Sequence, residues 1–416
     1  MSAMTLKSQH LRRRLTEAAI CAGLLSAAWA QSSFVPPVRA PEFPPPGAHV
    51  SGTTWIHSQP LTMRRLYGQV VLIDFWEYTC INCIRTLATN ERWYREYHKY
   101  GFTIIGVHDP EFDIAYAGRD ARRVERDPLA AARLSFGTSR AENVRKAVRR
   151  FHINYPVVVD DWFQIWSAYH NQSWPNRFLI DARGRLRYNV VGEGHDGWLE
   201  GKIRKLLREA HPGLKFPAQL KIKSEPFAYA PGCGIPTEEM YIGNWFGRGV
   251  LANRQGYRNG HTLFYHLPAR VSDGRAVLNG RWESDRNGMI FRGQPRKTPA
   301  GQASTAALGK ATGELEMRYH ARQLYSVINV AHGHPERVYI RQDGRDLTRR
   351  NAGVDVKWDR HGHSYLQIHT ARLYYLTANP GFGEHRVQLF PTAPGVTFNS
   401  FTFGNNCQTR FPHWKG

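Results

Sequence analysis

The stretch Val70–Arg85, VVLIDFWEYTCINCIR, limits what this chain can become more than any other. Val70, Val71, Leu72 and Ile73 follow one another without polar alternation, the pattern of a strand covered on both faces as in a parallel sheet. Asp74-Phe75-Trp76 comes next, and three residues then intervene before Cys80 and Cys83, a C-x-x-C that opens a helical pattern running to Tyr97. The cysteines thus fall where a strand gives way to a helix. The unpaired N–H groups and positive dipole end of a helix start favour a thiolate, the nucleophile of disulfide exchange. The spacing also lets the two sulfurs close a small ring. This is the layout of a redox-active dithiol.

The segment Asp74-Phe75-Trp76-x-x-x-Cys80-x-x-Cys83 resembles the active-site segment of the thioredoxin family. Phe75-Trp76-Glu77-Tyr78-Thr79-Cys80-Ile81-Asn82-Cys83 is similar to the F-W-T-Y-S-C-I-N-C of one branch, the DipZ-type extracytoplasmic thioredoxins. The likeness extends upstream to Trp55-Ile56-His57-Ser58-Gln59-Pro60-Leu61, against W-I-N-S-x-P-L, and downstream to Gly106-Val107-His108-Asp109-Pro110-Glu111-Phe112, against G-V-H-x-P-E-F. Phe102–Val107 reads as a second core strand, parallel to the first across a helical crossover. Trp174-Pro175, ahead of the strand Phe178–Ile180 and the turn Asp181-Ala182-Arg183-Gly184, matches the family's cis-proline and hairpin.

The resemblance implies an α/β thioredoxin-like domain over 51–210. Within it Cys80 is the attacking thiol and Cys83 the resolving one, paired as a redox disulfide when oxidised. Asp74 is a buried acid fitted to take the proton of Cys83. Trp76, Trp174 and Pro175 form the edge that docks the substrate. Glu77 departs from the pattern and places a negative charge where it would oppose a Cys80 thiolate. The expected partners are protein thiols and disulfides, and no bound cofactor or metal is implied. Larger family members carry a membrane electron-transfer domain; none is legible here, which implies a separate membrane electron donor.

Residues 1–30 read as an export signal: Arg12-Arg13-Arg14 precede a small, apolar stretch and the site Ala28-Trp29-Ala30. An extracytoplasmic, periplasm-like location follows. Residues 31–50 hold a proline-rich spacer, 113–139 a charged insertion and 211–228 a linker. From 229 to 416 short β-rich segments alternate with Gly, Asn and Asp turns, the texture of an all-β sandwich. Thr237-Glu238-Glu239-Met240-Tyr241-Ile242-Gly243 resembles the T-P-E-x-Y-L-G that opens the DipZ C-terminal module, with the proline missing at Glu238. Phe401-Thr402-Phe403-Gly404 resembles its closing F-T-F-G. That likeness implies a jelly roll of carbohydrate-binding type, open to a glycan or cell-wall ligand. Cys233 and Cys407 bracket it, as a structural disulfide or as two free thiols.

The chain carries a formal charge of +22, spread along its length. With no nucleic-acid motif and an export signal, nucleic acid is not an expected partner; the charge reads first as a generally solvated basic surface, with anionic lipid, wall polymer or acidic substrates as what it could attract. A zinc half-site at Cys80 and Cys83 lacks two further ligands at suitable spacing. A peroxidase motif fails at Glu77. The competing reading makes the β module the functional end, with Trp245, Trp282, Trp358, Tyr374 and Tyr375 stacking on sugars and His332/His334 or His361/His363 holding a metal. Cys80-Ile81-Asn82-Cys83 has no histidine between the thiols, which points to a reductant or isomerase rather than a strong oxidant.

Overall fold

The core strand of the first unit is buried because every one of its side chains meets a covered face. In the computed structural model, which describes residues 34–44, 53–112, 138–160, 163–220, 234–244, 250–285, 287–293, 313–330 and 334–405, Val70 to Trp76 are all buried. This first unit contains β1 (Phe34–Arg39), β2 (Thr53–Ile56), β3 (Val70–Trp76), α1 (Ile81–Tyr97), β4 (Phe102–His108), α2 (Thr138–Arg150), β5 (Val157–Asp160), α3 (Gln164–Ala168), β6 (Asn176–Ile180), β7 (Arg185–Val191) and α4 (Asp196–Ala210). Its seven strands run in the order β1-β7-β6-β3-β4-β5-β2. Strand β3 pairs in parallel with β4, Val70 opposite Phe102 through Trp76 opposite His108, and antiparallel with β6. The strand period of two sorts β3 between two cores: Val70, Leu72 and Trp76 belong to one, Val71, Ile73 and Phe75 to the other. This is the thioredoxin-like architecture the sequence implied.

Part of the proline-rich segment is not a spacer. Phe34–Arg39 adds to the sheet edge beside β7, with an irregularity between Phe34 and Val38 where Pro36 and Pro37 lie. An edge strand is where proline, lacking an N–H, can enter a sheet. Phe43 beyond it is buried. The export signal, most of the insertion (113–137) and Cys233 and Cys407 lie outside the described residues. The linker's first half, to Leu220, packs its Phe216 and Leu220 against the first core.

The second unit contains β8 (Met240–Tyr241), β9 (Thr262–Tyr265), β10 (Ala276–Ser284), β11 (Met289–Phe291), β12 (Glu314–Val330), β13 (Glu336–Gln342), β14 (Arg345–Asp346), β15 (Val356–Trp358), β16 (Ser364–Ile368), β17 (Arg372–Pro391) and β18 (Val396–Gly404). All its ladders between these strands are antiparallel, and it holds no described helix. Long β12 joins its two halves. Residues 314–317 pair with β10, residues 323–330 with β18, and β17 follows β12 along both parts.

The same period of two explains how the units meet. Leu324, Ile328, Tyr374 and Leu376 point into the module's own core. Their neighbours Tyr325, Val327, Leu373 and Tyr375 point the other way, into the cluster that holds Leu72, Leu87 and Cys83 of the first unit. One apolar core therefore runs through both units. Tyr325 and Tyr375 stack at 4.4 Å between ring centroids on this seam. Replacing Tyr325 by Ala leaves a cavity there, and the expected loss is about 3 kcal/mol in denaturant unfolding, with both units unfolding in one transition. Two separate transitions, with only the second moved, would show the seam to be energetically empty.

Candidate functional site

Cys80 is the N-cap of α1: its backbone is extended, and its Sγ accepts a hydrogen bond from the Cys83 N–H at 3.2 Å. An N-cap usually carries an oxygen acceptor, and here the sulfur takes that place. Both cysteines are thiols. Cys80 is partly exposed and Cys83 fully buried. That asymmetry separates an attacking from a resolving sulfur. Burial pushes both thiols above the ordinary range, Cys83 well above it. The carboxylates of Glu111 and Glu239 push Cys80 further in the same direction.

Asp74 lies on the β3 face that α1 covers, and the helix reaches back to it: Asn90 donates to its Oδ2 at 2.8 Å. The group is fully buried. Desolvation raises its pKa to about 7, opposed by the nearby Arg177 and the Asn90 hydrogen bond. Its charge in turn acts on Cys83. The residue expected as the buried acid is thus buried, near-neutral in its proton affinity, and coupled to the resolving thiol.

The cis peptide is as expected. Trp174-Pro175 is a cis peptide. Because Phe75 pairs with Asn176, Pro175 lies level with Trp76 at the end of β3 from which the dithiol loop leaves. Trp174 is half-buried and packs on Trp166 at 4.4 Å. Trp76 is a correction: it is fully buried and cannot touch a substrate. It sits over Gly106, where a Cβ would come within 2.9 Å of the indole Nε1. A strand covered on both faces leaves its tryptophan no outward side.

Glu77 is a second correction. It is buried, accepts from the Thr79 N–H and hydroxyl, and lies 3.6 Å from His108 Nε2. His108 itself is held between Trp76 and Tyr78. The carboxylates felt by Cys80 come instead from Glu111, just after β4, and Glu239, just before β8. The sequence showed both inside motifs but gave no sign that they meet. Below Trp174, Asp109 is buried against Asp160, whose carboxylate caps α3 at 2.8 Å from the Gln164 N and 2.9 Å from the Trp166 N. Burial and Asp160 hold Asp109 well above the usual carboxylate range.

The module's aromatics form no exposed platform among the described residues. Trp282 and Tyr374 are fully buried, Tyr375 belongs to the seam, and Trp358 is half-buried with its Nε1 donating to the Leu347 carbonyl. Trp245 and His332 lie outside the described residues. No group of His, Cys, Asp and Glu among the described residues could hold a metal. His361 and His363 have ring centroids 6.5 Å apart, and His363 is taken by Asp346.

Comparisons with known proteins place this geometry beside the following relatives. Residues 300–404 match the family model described as a thioredoxin-like C-terminal domain. The DipZ protein of Mycobacterium bovis is 30% identical over 302 residues, which cover 71% of this chain and 36% of DipZ. The chain is similar to the DipZ proteins over most of its own length. It spans about a third of the length of the DipZ proteins it matches. The thiol-disulfide oxidoreductase ResA of Bacillus thuringiensis is 24% identical over 153 residues, 37% of this chain and 72% of ResA. A thioredoxin-family thiol:disulfide interchange protein from Chlorobium tepidum covers 42% of this chain and 99% of its own, with 18% identity and a TM-score of 0.30.

Asp74 supplies a stability test. Its pKa is raised from the unfolded value to about 7, so the folded chain binds the extra proton between about pH 4 and 7. Stability tied to this group is full below pH 4 and is lost as pH rises through 7. Replacing Asp74 by Asn should flatten that decline and stabilise the protein above pH 7 by a few kcal/mol at most, read by urea unfolding across pH. An unchanged slope would mean Asp74 stays ionised.

Proposed function

We propose that this chain is an exported thiol–disulfide oxidoreductase that delivers electrons to disulfides of extracytoplasmic proteins. The observation that carries this reading is the pairing of a partly exposed N-cap thiol with a fully buried one, beside a buried acid of pKa about 7. The Cys80 thiolate attacks a substrate disulfide. That S–S bond breaks, a Cys80–substrate mixed disulfide forms, and the leaving thiolate takes up a proton. Cys83, its proton accepted by Asp74, then attacks the Cys80 Sγ. The second substrate thiol leaves, and the dithiol has given two electrons. A separate dithiol donor, in our reading a membrane protein, returns the Cys80–Cys83 disulfide to the reduced state.

A reducing direction follows from charge. Strong oxidants of this chemistry have a stabilised thiolate, which favours their reduced form. Here burial and two carboxylates work against the Cys80 thiolate, and no histidine stands between the cysteines. Export rests on the leader pattern of residues 1–30; no helix among the described residues is long and apolar enough to cross a membrane. The β module buries its aromatics, which favours a structural share in the redox unit over a sugar-stacking surface.

Equilibrating the protein against dithiothreitol should give a Cys80–Cys83 potential near that of thioredoxin, about −270 mV. Cys83→Ser should accumulate mixed disulfides with substrate proteins, and Cys80→Ser none. A potential near −120 mV would reverse the direction, and a pair that never cycles would end the redox reading.

A further inference from the structure

Tyr241 reaches out of the module toward the first unit. Its hydroxyl lies 2.5 Å from Oε1 of Glu111 and 3.3 Å from Oε2 of Glu239. A phenol has one proton to donate. With both carboxyls ionised, one contact would go unfilled and two negative charges would face each other across one oxygen. The bridge is complete when one carboxyl is protonated. Burial pushes both above the usual carboxylate range, and the charges of Glu239 and Glu77 push Glu111 further, well above it. Glu239 is also exposed at its flank, so water damps the effect on its side.

The module holds these groups with the two motifs that open and close it. Tyr241 and Met240 pair with Ser400 and Phe401 of β18. Thr402 of the closing motif donates to Oε1 of Glu239 at 2.7 Å. Gly404 ends the same motif beside α1, where an added Cβ would stand 2.6 Å from Gln323 Oε1 and 3.2 Å from Arg85 Nη2. Arg85 lies on the dithiol helix and is tied to Glu193 at 3.1 Å. The closing motif therefore meets the dithiol helix, and the opening one meets the segment that follows β4. The ring of Phe112, next to Glu111, packs on Tyr241 at 5.9 Å and fixes the approach of the two segments.

We propose that the C-terminal module completes the dithiol site, with Glu239 and Tyr241 joining Glu111 in a proton-holding bridge that sets the pH at which Cys80 becomes a nucleophile. These are positioning residues: they act through Cys80. The charged groups facing Cys80 are Cys83 on α1, Glu111 after β4 and Glu239 before β8, with Glu77 reaching Glu111. When Cys80 ionises, its proton passes to the ionised member of the bridge or to water, and the thiolate leaving the substrate takes a proton up again. The inference deepens the oxidoreductase reading above and rests on it.

The test is the rate of Cys80 alkylation by iodoacetamide against pH, in the full-length reduced chain carrying Cys83→Ser. Combining Glu111→Gln with Glu239→Gln removes the bridge's charge. The midpoint should fall by about one unit, with alkylation about tenfold faster at pH 7. Should that pair of changes prevent folding, Glu239→Lys at the exposed end should move the midpoint the same way. A folded variant whose midpoint stays put or rises overturns the proposal. Alkylation titrates Cys80 whether or not the disulfide cycles. A wild-type protein with no reversible disulfide would therefore sink the redox reading while this readout stood.

Discussion

Burial of β3 on both faces is the constraint on which the rest of the molecule depends. Seven consecutive side chains are removed from water, and they alternate between two cores. The strand then has no freedom of register, because a slip of one residue would exchange the two faces. Its fixed end places Cys80 at the start of α1 and Pro175 level with Trp76. The same fixed alternation sends Asp74 under the helix, where Asn90 donates to it and Arg177 offsets part of its desolvation. The burial of this acid is thus a by-product of strand geometry.

The module extends that logic across the chain. Its strands β12 and β17 are covered on one side by their own sheet partners and on the other by the first unit. A tethered binding module would keep that second side polar. Here it carries Tyr325, Val327, Leu373 and Tyr375, so separating the units would expose a contiguous apolar face. Long-range packing of this kind also fixes side chains at the rim of the seam. Glu239 and Tyr241 sit on such a rim, which is why a residue far along the sequence can bear on the chemistry of Cys80.

Local patterns made much of this legible. The unbroken apolar run announced β3, the C-x-x-C its helix, and Trp174-Pro175 with Asp181–Gly184 the cis peptide and hairpin. These features are written in neighbouring residues and survive any tertiary arrangement. Trp76 was misread because the pattern that identifies a doubly buried strand also denies its members a surface, and that second consequence was not applied to the tryptophan. Glu77 was misread because proximity in sequence to Cys80 says nothing about which way a carboxylate turns; His108 and Thr79 turn it inward. The bridge of Glu111, Tyr241 and Glu239 had no local signal. Glu111 stands 130 residues from Tyr241 in the chain, and the seam between the units brings them together.

A formal charge of +22 and an acid-lined thiol pull in opposite directions, but they act over different distances. Exposed charges are screened beyond about 8 Å at physiological ionic strength, so in the proposed reading the basic residues act on the approach of a partner. They do little for a thiol flanked by two carboxylates in a poorly hydrated site, where a single near charge outweighs many distant ones. A partner drawn in by the basic surface therefore meets a protonated Cys80. Ionisation then depends on what the partner does locally: excluding water at Glu239 favours protonating the bridge, which lowers the negative charge beside the sulfur. On the proposed reading, attraction at long range and restraint at short range together make the thiol reactive chiefly against a docked substrate.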